Sequence, residues 1–274
     1  MTNHVKTAAL VAALLSGNTV SCLAAEPAPM AVEIESPLAS PHPLQGYLRQ
    51  ASGAGPSPAV VLLHSCGGNW RGLDERWGKR IASWGYATLT VDSFGPRGIK
   101  SNCLDSATGD FDSDAYRALN FLSLQPSVDP ARVAAIGFSR GGLSVLSSVE
   151  RGILEQGSSN KFRAAVAFYP PCAGIKGDVT VPTLILIGER DDLNLADDCR
   201  NMAAGRDGLG VSRQQDQGIP IKLVVLPGAY HAFDAPVKNP SELSGHHFEF
   251  NQSATDQSAD ALRQFLDATI GKRE

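Results

Sequence analysis

The segment GFSRG, residues 137–141, sets a serine between two glycines. The apolar run at 132–138 predicts a strand, and residues 143–154 predict a helix. At such a strand-to-helix turn a serine is held in an unfavourable backbone conformation, and flanking glycines let the strand and the helix approach each other closely. The same spacing also occurs in ordinary Gly-rich turns. Ser139 is therefore a candidate nucleophile that needs a base and an acid elsewhere in the chain.

Two later segments could supply that base and that acid. The segment GERDD, residues 188–192, follows a predicted strand and contains Asp191 and Asp192, and PGAYHAFD, residues 227–234, follows another strand and contains His231. Taken singly, an aspartate there could cap a helix and the histidine could be an ordinary turn residue. Together, a serine, an aspartate and a histidine at the ends of three strands predict a catalytic triad. Spacing alone leaves either aspartate as the acid.

The elements that must position these residues alternate between strands and helices. Short, continuously apolar runs predict strands buried on both faces, and apolar residues at helical spacing predict helices. The strands are predicted at 32–36, 44–49, 58–64, 87–92, 132–138, 164–169, 183–188 and 221–226. The helices are predicted at 73–85, 114–124, 143–154, 197–204 and 259–270. This order predicts an α/β fold with a mostly parallel sheet covered by helices on both faces, which binds ligands at the carboxyl ends of its strands.

The chain is predicted to consist of a leader, a linker and one domain. Residues 1–25 carry one positive charge at Lys6, then an apolar run and small residues, as in a secretory signal peptide. The apolar run is shorter than the roughly 20 residues of a membrane span. Residues 26–40 then form a linker, and 41–274 form one domain without a separate cap domain. We expect an exported protein, periplasmic or secreted, with a lipoprotein attached through Cys22 as the alternative.

Composition excludes several classes of function. Hydrophobic residues make up 43% of the chain, which indicates a folded globule. There are 24 basic residues, including Lys6 in the leader, and 28 acidic ones. The net charge of the remainder is therefore about −5, and with no basic run a nucleic-acid partner is not expected. The sequence gives no indication of an oligomeric state.

Four of the five cysteines lie beyond the leader. An even number in an exported protein predicts two disulfides, and the absence of a CxxC spacing argues against zinc. Three pairings are open to four cysteines, and placement on the fold chooses among them. Cys66 and Cys103 follow strands at one sheet edge, whereas Cys172 and Cys199 follow two strands expected to be neighbours. We therefore predict Cys66–Cys103 and Cys172–Cys199, with four free buried thiols as the alternative.

Five segments together resemble a known family. GFSRGG, GERDD, PGAYHAFD, LLHSCGG and VDSFGPRG look like the dienelactone hydrolase family of α/β-hydrolases, over roughly residues 40–270. The resemblance implies an α/β-hydrolase fold with His231 as the base, and its Gly-x-x-Asp pattern puts the acid on Asp191, with Asp192 as the neighbouring alternative. Dienelactone hydrolases proper carry a cysteine nucleophile, whereas this chain has Ser139. This departure favours a general ester-hydrolysing activity.

The same segments contain further candidate site residues. The backbone amides of Arg140 and Cys66 are the expected oxyanion-hole donors. Arg97 could hold a substrate carboxylate, as the small acidic lactones of the family would suit, or it could be solvated or ion-paired. His64 ends a predicted strand, where we expect a structural role rather than a base. The pair at 246–247 has no further metal ligands around it and predicts a surface loop.

The sequence thus predicts a serine hydrolase acting on a small-molecule ester or lactone. Ser139 would attack the carbonyl carbon, His231 would take its proton, Asp191 would orient the imidazole, and water would hydrolyse the acyl-enzyme. No cofactor and no metal is expected. The alternatives are an enzyme that cleaves amides or transfers acyl groups on the same fold, and a binding module that has lost the chemistry.

Overall fold

The structure is a computed structural model that describes residues 1, 28–35, 43–52, 55–103, 111–206, 218–236 and 240–271. The predicted signal peptide, apart from residue 1, lies outside the described residues, and so do Cys22 and parts of the predicted linker. No helix in the described part of the chain is both long enough and apolar enough to span a membrane.

An eight-stranded sheet forms the centre of the molecule. Its strands are β1 (Met30–Ile34), β2 (Leu44–Arg49), β3 (Ser57–Leu63), β4 (Ala87–Asp92), β5 (Val128–Phe138), β6 (Ala164–Phe168), β7 (Thr183–Gly188) and β8 (Ile221–Leu226). Their order in the sheet is β1-β2-β4-β3-β5-β6-β7-β8. β2 pairs antiparallel with β1 and β4, and all the other pairs are parallel. The predicted mostly parallel sheet is confirmed.

Helices cover both faces of this sheet. They are α1 (Trp70–Leu73), α2 (Lys79–Ser83), α3 (Asp112–Ser123), α4 (Arg140–Val149), α5 (Ile153–Gly157), α6 (Ala196–Ala203) and α7 (Gln252–Thr269). Alternate residues of β3 point into different layers of the core, as the period of a strand requires. Val60 packs in the layer that contains Trp77 and Leu262 of α7, and Val61 packs in the layer that contains Leu119 of α3. The two layers pack on opposite faces of the sheet, and the parallel pairing of β3 to β8 puts the carboxyl ends of these strands at one edge.

Several element boundaries differ from those predicted. The predicted helix at 143–154 is two helices, because Glu150 has an extended backbone and bridges to Val179. The last helix begins at Gln252 instead of 259, since the Asn251 side chain accepts a hydrogen bond from the Ala254 N–H and caps it.

Two further elements begin earlier than predicted, and one predicted loop contains a hairpin. β5 begins at Val128 and α3 at Asp112. The loop at 234–254 contains a hairpin of β9 (Ser241–Leu243) and β10 (His246–Phe248). Polar residues fill these stretches, so apolar periodicity does not mark them.

A π-helical turn at Asp74–Gly78 interrupts the helix predicted at 73–85 and joins α1 to α2. It carries the fully buried carboxylate of Asp74, whose Oδ2 accepts hydrogen bonds from Nε and Nη2 of Arg49 at 3.0 and 2.6 Å. Its Oδ1 accepts one from Thr90 Oγ1 at 3.0 Å. These hydrogen bonds connect the π-helical turn to β2 through Arg49 and to β4 through Thr90.

Removal of the Asp74 carboxylate should lower the free energy of unfolding. Asp74→Ala removes the buried carboxylate that faces the buried Arg49 guanidinium and leaves it only the exposed carboxylate of Glu75 at 2.9 Å, so the free energy of unfolding should fall by about 3 kcal/mol. As a control, Asp197→Ala breaks a surface pair with Arg200 and should cost under about 1 kcal/mol. Urea denaturation of the two variants measures both values. Equal losses would contradict the assignment of Asp74 as a structural anchor.

Candidate active site

Ser139 forms the turn between β5 and α4. Its backbone φ is 52° and its ψ is −114°, a strained combination for a residue with a side chain. The Ser139 N–H donates to the Phe168 carbonyl of β6 at 2.9 Å, and α4 begins at the next residue. The serine is therefore fixed at the carboxyl end of β5, with its hydroxyl beside the first turn of a helix.

Two glycines make this turn sterically feasible. A Cβ added at Gly137 would lie 2.0 Å from the Gly141 carbonyl oxygen, and one added at Gly141 would lie 2.4 Å from the Leu63 carbonyl oxygen. Both obstacles are backbone atoms, which cannot rotate away. The expectation that side chains at 137 and 141 would collide with the strand and the helix is confirmed.

The three residues predicted as a triad lie in hydrogen-bond contact. His231 Nε2 is 3.0 Å from Ser139 Oγ, and His231 Nδ1 is 2.8 Å from Asp191 Oδ2. All three are buried, and each follows a strand: Ser139 follows β5, Asp191 follows β7 and His231 follows β8. With its Nδ1–H donated to Asp191, the imidazole presents the Nε2 lone pair to the serine hydroxyl, as a general base must.

The structure distinguishes the two neighbouring aspartates. Asp191 Oδ1 accepts hydrogen bonds from the backbone N–H groups of Leu193 and Asn194 at 3.1 and 2.8 Å, which orient its Oδ2 toward His231. Asp192 is exposed and accepts instead from the His247 N–H of β10 at 3.1 Å. Of the two aspartates, Asp191 is the one that contacts the imidazole of His231.

Two backbone amides are expected to bind an oxyanion. The Arg140 amide directly follows Ser139, and the Cys66 amide lies in the loop after β3. Arg140 is the first residue of α4, so its N–H has no intrahelical partner. Cys66 lies in the turn closed by the Gly68 N–H and the Ser65 carbonyl at 3.0 Å. Among the described residues, neither the Arg140 N–H nor the Cys66 N–H donates a hydrogen bond to the protein.

The cysteine bridges are the two pairs predicted from the sequence. Cys66 bonds to Cys103, and Cys172 bonds to Cys199. The first bridge is reinforced by a hydrogen bond from the Asn102 N–H to the Cys66 carbonyl at 2.9 Å. The loop after β4 thereby holds the turn that contains the Cys66 amide.

His64 has no role as a base in this arrangement. Its Nδ1 donates to the Ser65 carbonyl at 2.7 Å, and its Nε2 accepts from the Ser93 N–H at 3.2 Å. Burial lowers the pKa of His64, so the ring stays neutral. Both nitrogens are used in joining the loops after β3 and β4, which agrees with the structural role expected for this residue.

Of the two roles left open for Arg97, the contacts of its side chain support the ion-paired one. Its guanidinium makes a two-pronged pair with the buried carboxylate of Asp114 in α3, at 2.6 and 2.8 Å, and donates to the Ser93 carbonyl at 2.6 Å. Its charge is thus compensated within the protein, which corresponds to the ion-paired alternative rather than to a group that binds a substrate carboxylate.

The histidine pair at 246–247 lies in β10 rather than in a loop. His247 Nδ1 is 2.8 Å from Glu242 and its Nε2 is 3.2 Å from Glu249. Hydrogen bonds to these two carboxylates raise the pKa of His247. Across the described ranges, no group of His, Cys, Asp or Glu residues has the arrangement of a metal site.

A cavity of about 170 Å³ opens beside the triad. Its lining includes Phe138 and Ala232, the sequence neighbours of the serine and the histidine, together with Tyr169, His64 and Gly68. A larger cavity of about 500 Å³ lies against α2 and the start of α7, and its lining includes no sequence neighbour of Ser139 or His231. Of these two cavities, the smaller one is therefore nearer to the triad.

Sequence reasoning missed two residues at this site. The Tyr169 ring packs edge-on against the His231 ring with their centroids 4.8 Å apart, and Asn194 donates both its N–H to Asp191 and its side-chain amide to the Tyr169 carbonyl. The position of Tyr169, directly after β6 and beside the nucleophile strand, could have singled it out. Nothing in the sequence distinguishes Asn194 from any other loop asparagine.

Comparisons with known proteins identify similar sequences. The model of the dienelactone hydrolase family matches residues 44–270. Lipase 1 of a Moraxella species is 29% identical over 153 residues, which cover 53% of this chain and 42% of that protein. A putative phosphoribosyl transferase of Mycobacterium tuberculosis is 26% identical over 226 residues, which cover 78% of this chain and 44% of that protein. The chain spans less than half the length of these curated relatives.

Solved structures share the fold. A dienelactone hydrolase-like promiscuous phosphotriesterase from metagenomic libraries superposes with a TM-score of 0.67 and 23% identity, over 89% of this chain and all of that one. A thermophilic esterase of Thermogutta terrifontis gives a TM-score of 0.63 and 16% identity, over 91% of this chain and 96% of its own. At such identities the likeness establishes the α/β-hydrolase fold alone.

The contacts of the two aspartates predict different effects of their removal. Asp191→Asn should slow the reaction of Ser139 with a fluorophosphonate by about 10⁴, because the amide no longer holds the reactive tautomer of His231. Asp192→Asn removes a carboxylate of the same size at the next position and should change the rate by less than about threefold. Mass spectrometry measures the labelling rates of the two variants. A slower reaction in Asp192→Asn than in Asp191→Asn would assign the role of the acid to Asp192.

Proposed function

Because the chain belongs to the dienelactone hydrolase family, we propose that it is a serine hydrolase that cleaves carboxylic esters or lactones through an acyl-enzyme intermediate. The observation that carries the proposal is the unbroken line of hydrogen bonds from Ser139 through His231 to Asp191. A serine hydroxyl is a weak nucleophile unless a base takes its proton as it attacks.

In the first half of the proposed reaction, Ser139 Oγ bonds to the carbonyl carbon while its proton passes to His231 Nε2. The carbonyl oxygen gains a negative charge, which the N–H groups of Arg140 and Cys66 stabilise. Asp191 stabilises the imidazolium. His231 then returns the proton to the leaving alkoxide, the ester C–O bond breaks, and the alcohol departs.

In the second half, water replaces the alcohol. His231 takes a proton from the water, whose oxygen attacks the acyl carbon, and the bond to Ser139 Oγ breaks as His231 returns the proton to it. The carboxylic acid leaves and the free enzyme is restored. Every proton passes through one nitrogen, so the cycle requires no metal or redox cofactor.

The proposed substrates are small or medium esters, because the cavity beside the triad has a volume of about 170 Å³. We further propose that the protein is exported. The two disulfides support this proposal, since such bonds persist in oxidising compartments, and it agrees with the leader predicted at residues 1–25.

Loss of the nucleophile is the direct test. Ser139→Ala should lower the turnover of a short-chain ester by about 10⁶, as in serine-protease triads, because neither the oxyanion hole nor the histidine can replace the hydroxyl. Comparison of matched ester and amide substrates in the native enzyme tests the amide-cleaving alternative. Full ester turnover in Ser139→Ala would refute the mechanism, and a native protein inert to every ester and to a fluorophosphonate would favour a binding module.

The first disulfide should matter for catalysis as well as for stability. Cys103→Ser and Cys199→Ser each open one bridge and should each cost about 2–4 kcal/mol in the free energy of unfolding. Cys103→Ser also frees the turn that contains the Cys66 amide, so turnover should fall at least tenfold. Complete loss of one oxyanion donor would lower turnover by roughly 10²–10³-fold, which sets the upper limit of the effect.

Cys199→Ser is the matched control, because its bridge does not touch that turn. Its turnover should stay within about threefold of the native value at a temperature where both variants are folded. Equal turnover in the two variants would remove Cys66 from the oxyanion hole.

A further inference from the structure

The described residues include a buried carboxylate that the proposed reaction does not use. Asp234 follows the catalytic histidine by three positions, and its side chain is fully buried. Its Oδ1 accepts the Tyr169 hydroxyl at 2.6 Å, and its Oδ2 accepts the Trp77 indole N–H at 2.7 Å. Arg76 Nε lies 3.6 Å from Oδ2 and partly compensates the charge. A buried charge is costly, so this arrangement calls for a reason.

Tyr169 is the partner of Asp234 that touches the catalytic groups. Its backbone φ is 39°, a conformation that residues with side chains rarely adopt, and its ring packs edge-on against His231. Burial, and secondly the charge of Asp234, raise the pKa of Tyr169 well above its ordinary value. The hydroxyl therefore stays protonated and remains a donor to Asp234 at any physiological pH.

The same tyrosine is bonded to the acid loop. Its carbonyl accepts the Asn194 side-chain amide at 2.8 Å, and the Asn194 N–H donates to Asp191 Oδ1 at 2.8 Å. The preceding residue, Phe168, accepts the Ser139 N–H. The residue pair 168–169 is thus linked to all three members of the triad, and Asp234 fixes the orientation of its aromatic ring.

We propose that Asp234 and Tyr169 are positioning residues, which set the His231 imidazole at hydrogen-bond distance from Ser139. The proposal rests on the proposed hydrolytic function. A reacting group displaced by about 1 Å can lose on the order of 10² in rate, so a ring that holds the imidazole from the side affects turnover without touching the reacting atoms.

Removal of one oxygen atom tests the proposal. Tyr169→Phe keeps the ring in the cavity and against His231 but releases it from Asp234. Turnover of a short ester should fall about tenfold, while KM should change less than threefold because the cavity keeps its lining. Asp234→Asn leaves one acceptor oxygen for two donors, so it should lower turnover similarly. The double variant should be no worse than Tyr169→Phe, since the two residues act as one unit.

Tyr86→Phe is the matched control. Tyr86 is also a buried tyrosine whose hydroxyl donates to an aspartate, Asp267 of α7, at 2.5 Å, and its contacts do not include the triad. It should lower the thermal midpoint as Tyr169→Phe does, yet leave turnover unchanged. A purely structural role for Tyr169 predicts equal turnover losses in the two variants at equal loss of stability, and that result would overturn the proposal.

A second measurement does not depend on turnover. The Nδ1 proton of His231, held in its bond to Asp191, should give a strongly downfield proton NMR signal in the native protein and in Tyr86→Phe. In Tyr169→Phe that signal should shift or broaden by exchange with water. An unchanged signal in Tyr169→Phe would overturn the proposal. A native protein that shows the signal but hydrolyses no ester would instead refute the proposed function.

Discussion

The left-handed turn at Ser139 is the constraint on which the rest of the site depends. The turn brings the start of α4 so close to β5 and β3 that no Cβ fits at Gly137 or Gly141. Because the serine cannot move, every other catalytic group must be brought to it by the loops at the ends of β3, β7 and β8. The parallel order of the strands achieves this, since their carboxyl ends meet at one edge.

Much of this arrangement could be predicted from the sequence, because it follows from local chemistry. The apolar strands, the flanking glycines and the chain order of serine, aspartate and histidine are all visible as patterns. The choice between Asp191 and Asp192 was not settled by spacing, because it depends on which carboxylate accepts the N–H groups of the following turn. The turn is defined by backbone angles, and the sequence of two adjacent aspartates does not show which of them has the right position in it.

Contacts between residues that are separated along the chain explain what the sequence left open. Arg97 lies in a segment that resembles the family, yet its partner Asp114 is in the next helix, where nothing in the pattern marks it as buried. The Asp234–Tyr169 pair joins residues that are 65 positions apart. Polar groups are paired wherever the fold buries them, so their partners become apparent only when the tertiary structure is known. Amphipathic periodicity locates the core, and buried polar contacts locate the site.

The order of the catalytic strands along the chain has a consequence for synthesis. His231 follows Ser139 by 92 residues, so at ribosomal rates of roughly 5–20 residues per second Ser139 emerges about 5–18 s before His231. In the proposed mechanism, the serine is an unactivated alcohol during that interval, because no base is present to take its proton. In that mechanism, a nascent or truncated chain that ends before β8 contains the serine without its base and should not react with esters.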